Sequence, residues 1–134
     1  MRGCYLDASA LVKLAIREAE TDALRDQLLG YATRATSRLA AVEVPRALVR
    51  RGSESVALGG DAVAAALEGI IVVELDEAIA SVAASLEPAS LRSLDAIHLA
   101  TALAMGDELE ALITYDDRLA DAARAAGLAV IAPS

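Results

Sequence analysis

A chain of 134 residues, 56% of them apolar, is long enough to bury a core without disulfides and too apolar to stay disordered. Aromatic residues make up 2%, with no Phe or Trp, so Ala, Leu, Val and Ile must fill that core. A net charge of −8 argues against a passive nucleic-acid binder, which presents a basic face, although net charge says little about any one groove.

Short apolar runs alternate with longer helical patterns, with no repeat or long linker between them. This predicts one domain over residues 1–134, of α/β class with a mostly parallel sheet. Gly3 to Leu6 is the first expected strand. "SALVKLAIREAE" follows as a helix, and "TDALRDQLL" as a second that ends at Gly30, a residue type suited to a left-handed exit. "ATS" is a short strand before the helix "RLAAVEVPRALVRR", with Ser37 as its cap and a kink expected at Pro45. Gly59 and Gly60 mark a turn, and "DAVAAALE" is helical. "GIIVVELD" reads as the clearest buried strand, with four β-branched residues in succession. A helix in "EAIASVAASLE" stops near Pro88. "SLRSLDAIHLATALAMG" is apolar on nearly every side, which predicts a central helix closing at Gly106. "EALITYD" is a strand, "DRLADAARAAG" a helix closing at Gly127, and "LAVIAP" the last strand. Five strands and seven helices are expected.

Cys4 is the single cysteine and lies in the first apolar run, where it serves as a small buried hydrophobe of a reducing compartment. Asp7 interrupts any leader-like run, and the longest uncharged stretch, Ala96 to Gly106, falls short of the roughly 20 residues a bilayer needs. A soluble cytoplasmic protein with no membrane association is the expectation.

In open parallel sheets ligands bind beyond the carboxyl ends of the strands, near a topological switch. Asp7 and Asp116 each follow an apolar run directly, and Asp95 and Glu43 sit in the opening turns of apolar helices. Several carboxylates meeting in one crevice repel unless a cation neutralises them, and hard divalent cations such as Mg²⁺ prefer oxygen ligands. Each acid also has a plainer reading. Asp7 and Ser9 can cap a helix, and Asp95, Asp116 and Asp117 complement helix dipoles. Glu43 resists that reading best, because it lies among Leu39, Ala40, Ala41, Val42 and Val44.

His98 stands three residues after Asp95 on one helical face, a spacing that suits a metal, but a lone histidine in an apolar helix is more often a hydrogen-bonded core residue. Thr114, two residues before Asp116, can bond a carboxylate or a ligand oxygen. An aspartate after strand one also suits an aspartyl-nucleophile phosphatase, yet that chemistry wants a second acid where Ser9 stands. A non-catalytic binding module whose acids only cap helices is the other alternative.

"YLDASALVKL", "SRLAAVEVPRAL", "LRSLDAIHLATAL" and "LITYDDRLADAARAAGL" resemble, in order and spacing, the signature segments of PIN-domain ribonucleases, in particular VapC-type toxins of toxin–antitoxin pairs. The resemblance implies a three-layer α/β/α sandwich around a parallel five-stranded sheet. It assigns Asp7, Glu43, Asp95 and Asp116 to an acidic site, with Asp7, Asp95 and Asp116 as metal ligands. Ser9 and Thr114 support them, and Asp117 is a neighbour of the family position. It also implies Mg²⁺ or Mn²⁺, cleavage of single-stranded RNA regions by metal-activated water, homodimerisation and neutralisation by a cognate antitoxin. Arg46 and Arg50 fall on Glu43's side of its helix, where RNA phosphates could meet positive charge; solvated arginines that keep the protein soluble, or meet an antitoxin's acidic tail, are the alternative.

Overall fold

β1 (Gly3–Leu6) is buried at every position and forms the middle of a five-stranded sheet in the computed structural model. The structure describes residues 2–52 and 54–134, with only the backbone described over 54–60. After β1 come α1 (Ala8–Ala15), α2 (Thr21–Leu28), β2 (Thr33–Ser37), α3 (Ala40–Arg51), α4 (Glu54–Leu67), β3 (Ile71–Val73) and α5 (Glu77–Ala84). The chain continues through α6 (Ser93–Leu103), a 3₁₀ turn at Gly106–Glu108, β4 (Leu109–Ile113), α7 (Asp117–Ala125) and β5 (Val130–Ile131). All four strand pairings are parallel, in the order β3–β2–β1–β4–β5, so the expected fold class holds.

Strand alternation divides the core into two clusters. Cys4 and Leu6 point to one face, where Leu11, Leu24, Ala40 and Val44 from α1, α2 and α3 cover them. Tyr5 points to the other, against Leu99 and Ala102 of α6 and Leu119 and Ala123 of α7. These helix layers on both faces make the sandwich. Gly3 is crowded: a Cβ there would stand 3.1 Å from the Thr33 carbonyl, and the pairing with β4 shifts register between Gly3 and Cys4. Cys4 is free and buried, and burial pushes its thiol up to about 12, far from reactivity.

Several expectations are corrected. "GIIVVELD" is no buried strand: β3 is three residues long, lies at the sheet edge, and leaves Ile71 57% exposed. Its β-branched run favours extended backbone wherever it sits, and nothing in it encodes which strands flank it. Gly59 and Gly60 lie inside α4 rather than in a turn, so packing of α4 on α1 and α3 outweighs about 1 kcal/mol of helix propensity per glycine. The first helix stops at Ala15, because the Thr21 hydroxyl takes the Lys13 carbonyl at 2.7 Å and turns the chain. Gly30 has no positive φ; α2 ends instead through tight bonds from Gly30 N to the Gln27 carbonyl and Tyr31 N to the Leu28 carbonyl. Gly106 and Gly127, by contrast, do take left-handed φ of +60° and +90°. Helix α3 continues through Pro45, and Ser37 is not its cap: the N-cap is Leu39, without a side-chain cap bond, and the Ser37 hydroxyl accepts from Leu39 N at 3.1 Å just ahead of the helix.

β2 and β4 flank β1 on opposite sides, and the chain passes to one side through β2 and β3 before returning to the other through β4 and β5. The switch therefore lies between β1 and β4, and their carboxyl ends deliver Asp7 and Thr114.

Candidate active site

Asp7 is the N-cap of α1 and is only 4% exposed. Its Oδ1 accepts from Ala10 N at 3.1 Å and from the Ser9 hydroxyl at 2.7 Å, and its Oδ2 accepts from the Thr114 hydroxyl at 2.6 Å. Ser9 stands inside the first turn of α1 and also accepts from Tyr115 N at 2.9 Å, which ties the start of α1 to the exit of β4. Thr114 in turn accepts from Asp116 N at 3.0 Å. A carboxylate so deeply buried ordinarily finds a basic partner; Asp7 finds hydroxyls and one amide. Burial raises its pKa, and the bonds from Ser9 and Thr114, the His98 ring and Ala10 N offset only part of that rise.

Asp116 caps α7, its Oδ1 accepting from Arg118 N at 2.9 Å and Leu119 N at 3.1 Å. Asp95 lies in the first turn of α6 but caps nothing, since that helix begins without a side-chain cap. Its pKa is raised by burial first, then by the charge of Asp116, while His98 and Arg92 pull it down and Asp7 pushes it up again. Asp95 thus feels the negative charge of both Asp116 and Asp7. Asp117 is the exposed first residue of α7.

Glu43 turns toward α6, where its Oε1 accepts from Nε2 of His98 at 2.6 Å. On the far side of the imidazole, Nδ1 meets the Tyr5 hydroxyl at 2.7 Å. The core reading of His98 therefore holds, with a partner that sequence spacing did not suggest: the ring serves Glu43, 55 residues away, rather than Asp95. Tyr5 gave no signal at all, since a tyrosine in an apolar strand looks like core.

Glu43 and Ser9 line a cavity of about 560 Å³ together with Lys13, Arg46, Arg50 and Tyr115. Lys13 bonds Glu20 at 2.7 Å and lies 4.7 Å over the Tyr115 ring. Arg46 and Arg50 are exposed on the wall, whereas Arg38 is forked onto Glu74 and Arg51 is paired with Glu18 at 3.0 Å. On the other flank Asp95 borders a groove of about 870 Å³ with Leu91, Arg92, Arg118 and Ala122.

Among the described residues, no three Asp, Glu, His or Cys side chains stand close enough to enclose an ion directly. Asp116 is spent partly on its cap. The donor set is nonetheless all oxygen, the choice of hard divalent cations, and Mg²⁺ commonly takes one or two carboxylates and keeps several waters. These residues fit such an ion held in part through water.

The family model described as PIN domain matches residues 4–125. This chain belongs to the PIN-domain family. Ribonuclease VapC46 of Mycobacterium tuberculosis is 49% identical over 134 residues, covering 100% of both chains. Ribonuclease VapC35 of the same species is 47% identical over 133 residues, 96% of each. The PIN-domain fold is seen in the crystal structure of VapC20 from M. tuberculosis, a sarcin–ricin loop cleaving toxin. That chain matches with a TM-score of 0.70 at 19% identity, over 97% of this chain and 99% of its own. A toxin–antitoxin complex from Klebsiella pneumoniae gives 0.68 at 23% identity, over 98% of each chain. At those identities the likeness speaks for the fold alone.

Proposed function

We propose that this PIN-domain chain is a divalent-metal-dependent endoribonuclease, the toxin of a toxin–antitoxin pair, and that it cuts single-stranded regions of RNA. The observation that carries the reading is Asp7. It is a buried carboxylate that accepts from no Lys, Arg or His among the described residues, at the switch point of the sheet and close enough to Asp95 to raise that acid's pKa, in a chain 49% identical to a named ribonuclease. Capping does account for Asp7 and Asp116. It does not extend to Asp95, which stands in the first turn of α6 without capping it, or to Glu43, which is bonded to His98, and a site that both caps helices and holds charge has no conflict between the two duties.

Asp7, Asp95 and Asp116 would hold Mg²⁺ or Mn²⁺, which when bound supplies an acidified water and draws charge from the phosphodiester. The Ser9 and Thr114 hydroxyls keep the Asp7 carboxylate in one orientation. Glu43, at the mouth of the basic cavity, orients the attacking water or serves a second ion. Arg46 and Arg50 meet phosphates on that side, so a chain of net charge −8 offers local positive charge beside its acids. Products would carry 5′-phosphate and 3′-hydroxyl ends. A small antitoxin protein is the cognate partner, and a homodimer is the assembly.

The test is incubation with a defined RNA panel and Mg²⁺ or Mn²⁺, beside an Asp7→Asn control, with end-group analysis. Cuts bearing those ends in the wild type alone support the reading. Cleavage that survives both chelation and Asp7→Asn overturns it.

A further inference from the structure

Tyr5 and His98 have no part in the roles above, yet with Glu43 they form one hydrogen-bonded chain running from the central strand to the mouth of the basic cavity. His98 is 1% exposed and Tyr5 fully buried, so solvent cannot replace the bond between them, while Glu43 keeps its other side open to the cavity. A carboxylate only accepts, so at 2.6 Å the hydrogen must sit on Nε2 of His98. In the neutral imidazole a hydrogen on Nε2 leaves Nδ1 as an acceptor, and among the described residues the group aimed at it is the Tyr5 hydroxyl at 2.7 Å. The two rings meet edge to face at 70°, which holds the imidazole plane.

We infer that His98, set in the Nε2–H tautomer by the Glu43 carboxylate and steadied at Nδ1 by the Tyr5 hydroxyl, is a positioning residue that holds the Glu43 carboxylate of the nuclease site in a single direction. The kinetic half of this inference rests on the ribonuclease reading; the tautomer does not. One oxygen of Glu43 is spent on the imidazole, which leaves Oε2 as the oxygen available to the cavity. Without the imidazole donor, Glu43 would swing among rotamers on the exposed side of α3. Partners of this kind, which orient a carboxylate without touching substrate, typically change metal affinity or activity about 10–100-fold when removed.

His98 is the single histidine of the chain, so its ring nitrogens can be observed without assignment ambiguity. In the wild-type protein in EDTA at about pH 8, ¹⁵N NMR is expected to show a protonated-type signal for Nε2 and an unprotonated one for Nδ1. A protonated Nδ1 overturns the inference. For turnover, His98→Leu is expected to lose about 10–100-fold in kcat with KM for RNA little changed. His98→Gln, which can still donate to Glu43, is expected to recover most of the loss. Circular dichroism checks that both variants fold. Equal kcat in wild type and a folded His98→Leu overturns the positioning role, as does a loss that Gln does not relieve. A wild type that cuts no RNA strikes instead at the ribonuclease reading and leaves the NMR result standing.

Discussion

Asp7→Asn separates the charge of the buried oxygen pair from their geometry. Asparagine keeps an acceptor at Oδ1 for Ala10 N and the Ser9 hydroxyl, so the cap on α1 survives. Its amide would donate to Thr114 Oγ1, which can accept while its own hydrogen turns to Ser9, 3.3 Å away. Three bonds to a charged group become neutral ones, a loss of roughly 1 kcal/mol each. Against this stands a desolvation cost of several kcal/mol for a buried ion, and the raised pKa of Asp7 says that desolvation wins. In EDTA at neutral pH the variant is therefore expected to equal the wild type or exceed it by up to about 2 kcal/mol. That is a rise in Tm of about 3–5 °C per kcal/mol for a chain of this size. With Mn²⁺ at roughly 100 times its dissociation constant the order reverses, since a site present only in the folded wild type gains about 2.7 kcal/mol. Thermal unfolding followed by circular dichroism, with and without Mn²⁺, reads both effects. A variant more than about 2 kcal/mol less stable in EDTA, or an equal Mn²⁺ shift in both proteins, would refute the reasoning.

The metal-free protein should lose stability as pH rises. Asp7 and Asp95 hold protons more tightly when folded than their ordinary value of 3.8 allows, so above that value the folded state binds more protons than the unfolded chain. Stability then falls until both have ionised, and a urea titration series in EDTA across that window should show the decline. Leu99→Ala, at a fully buried position under the central strand, is expected to cost about 2–5 kcal/mol in the same assay. Arg46→Ala and Arg50→Ala should each flatten the dependence of log RNA affinity on log salt by about 0.7 if each meets one phosphate of a single strand. An unchanged slope removes phosphate contact at those positions.

The order of strands and helices was legible from apolar periodicity, because alternation of short β-branched runs with helical patterns leaves few arrangements. What sequence could not supply was position across the sheet: "IIVV" favours a strand equally at the centre or at the edge, and Ile71 turned out exposed. The acids at strand ends were legible for the same reason as the strands, since Asp7 and Asp116 follow apolar runs. Their supports were half legible. Ser9 looked like a cap and proves to be a strut between Asp7 and Tyr115. Glu43 stood out as an acid in apolar surroundings, but its relief comes from His98 across the fold, a pairing that no local spacing announces. Distant side chains meet only once the layers are stacked.

The strand order also governs when the enzyme comes into being. Asp7 and Glu43 leave the ribosome early, whereas Asp95 and Asp116 arrive only after α4, β3 and α5 have been made. Until β4 settles on the vacant edge of β1, the growing polypeptide carries three of the four acids and lacks Thr114 and Asp116, which follow that strand. If the four acids act together as proposed, a chain that stops short of β4 is expected to cut no RNA.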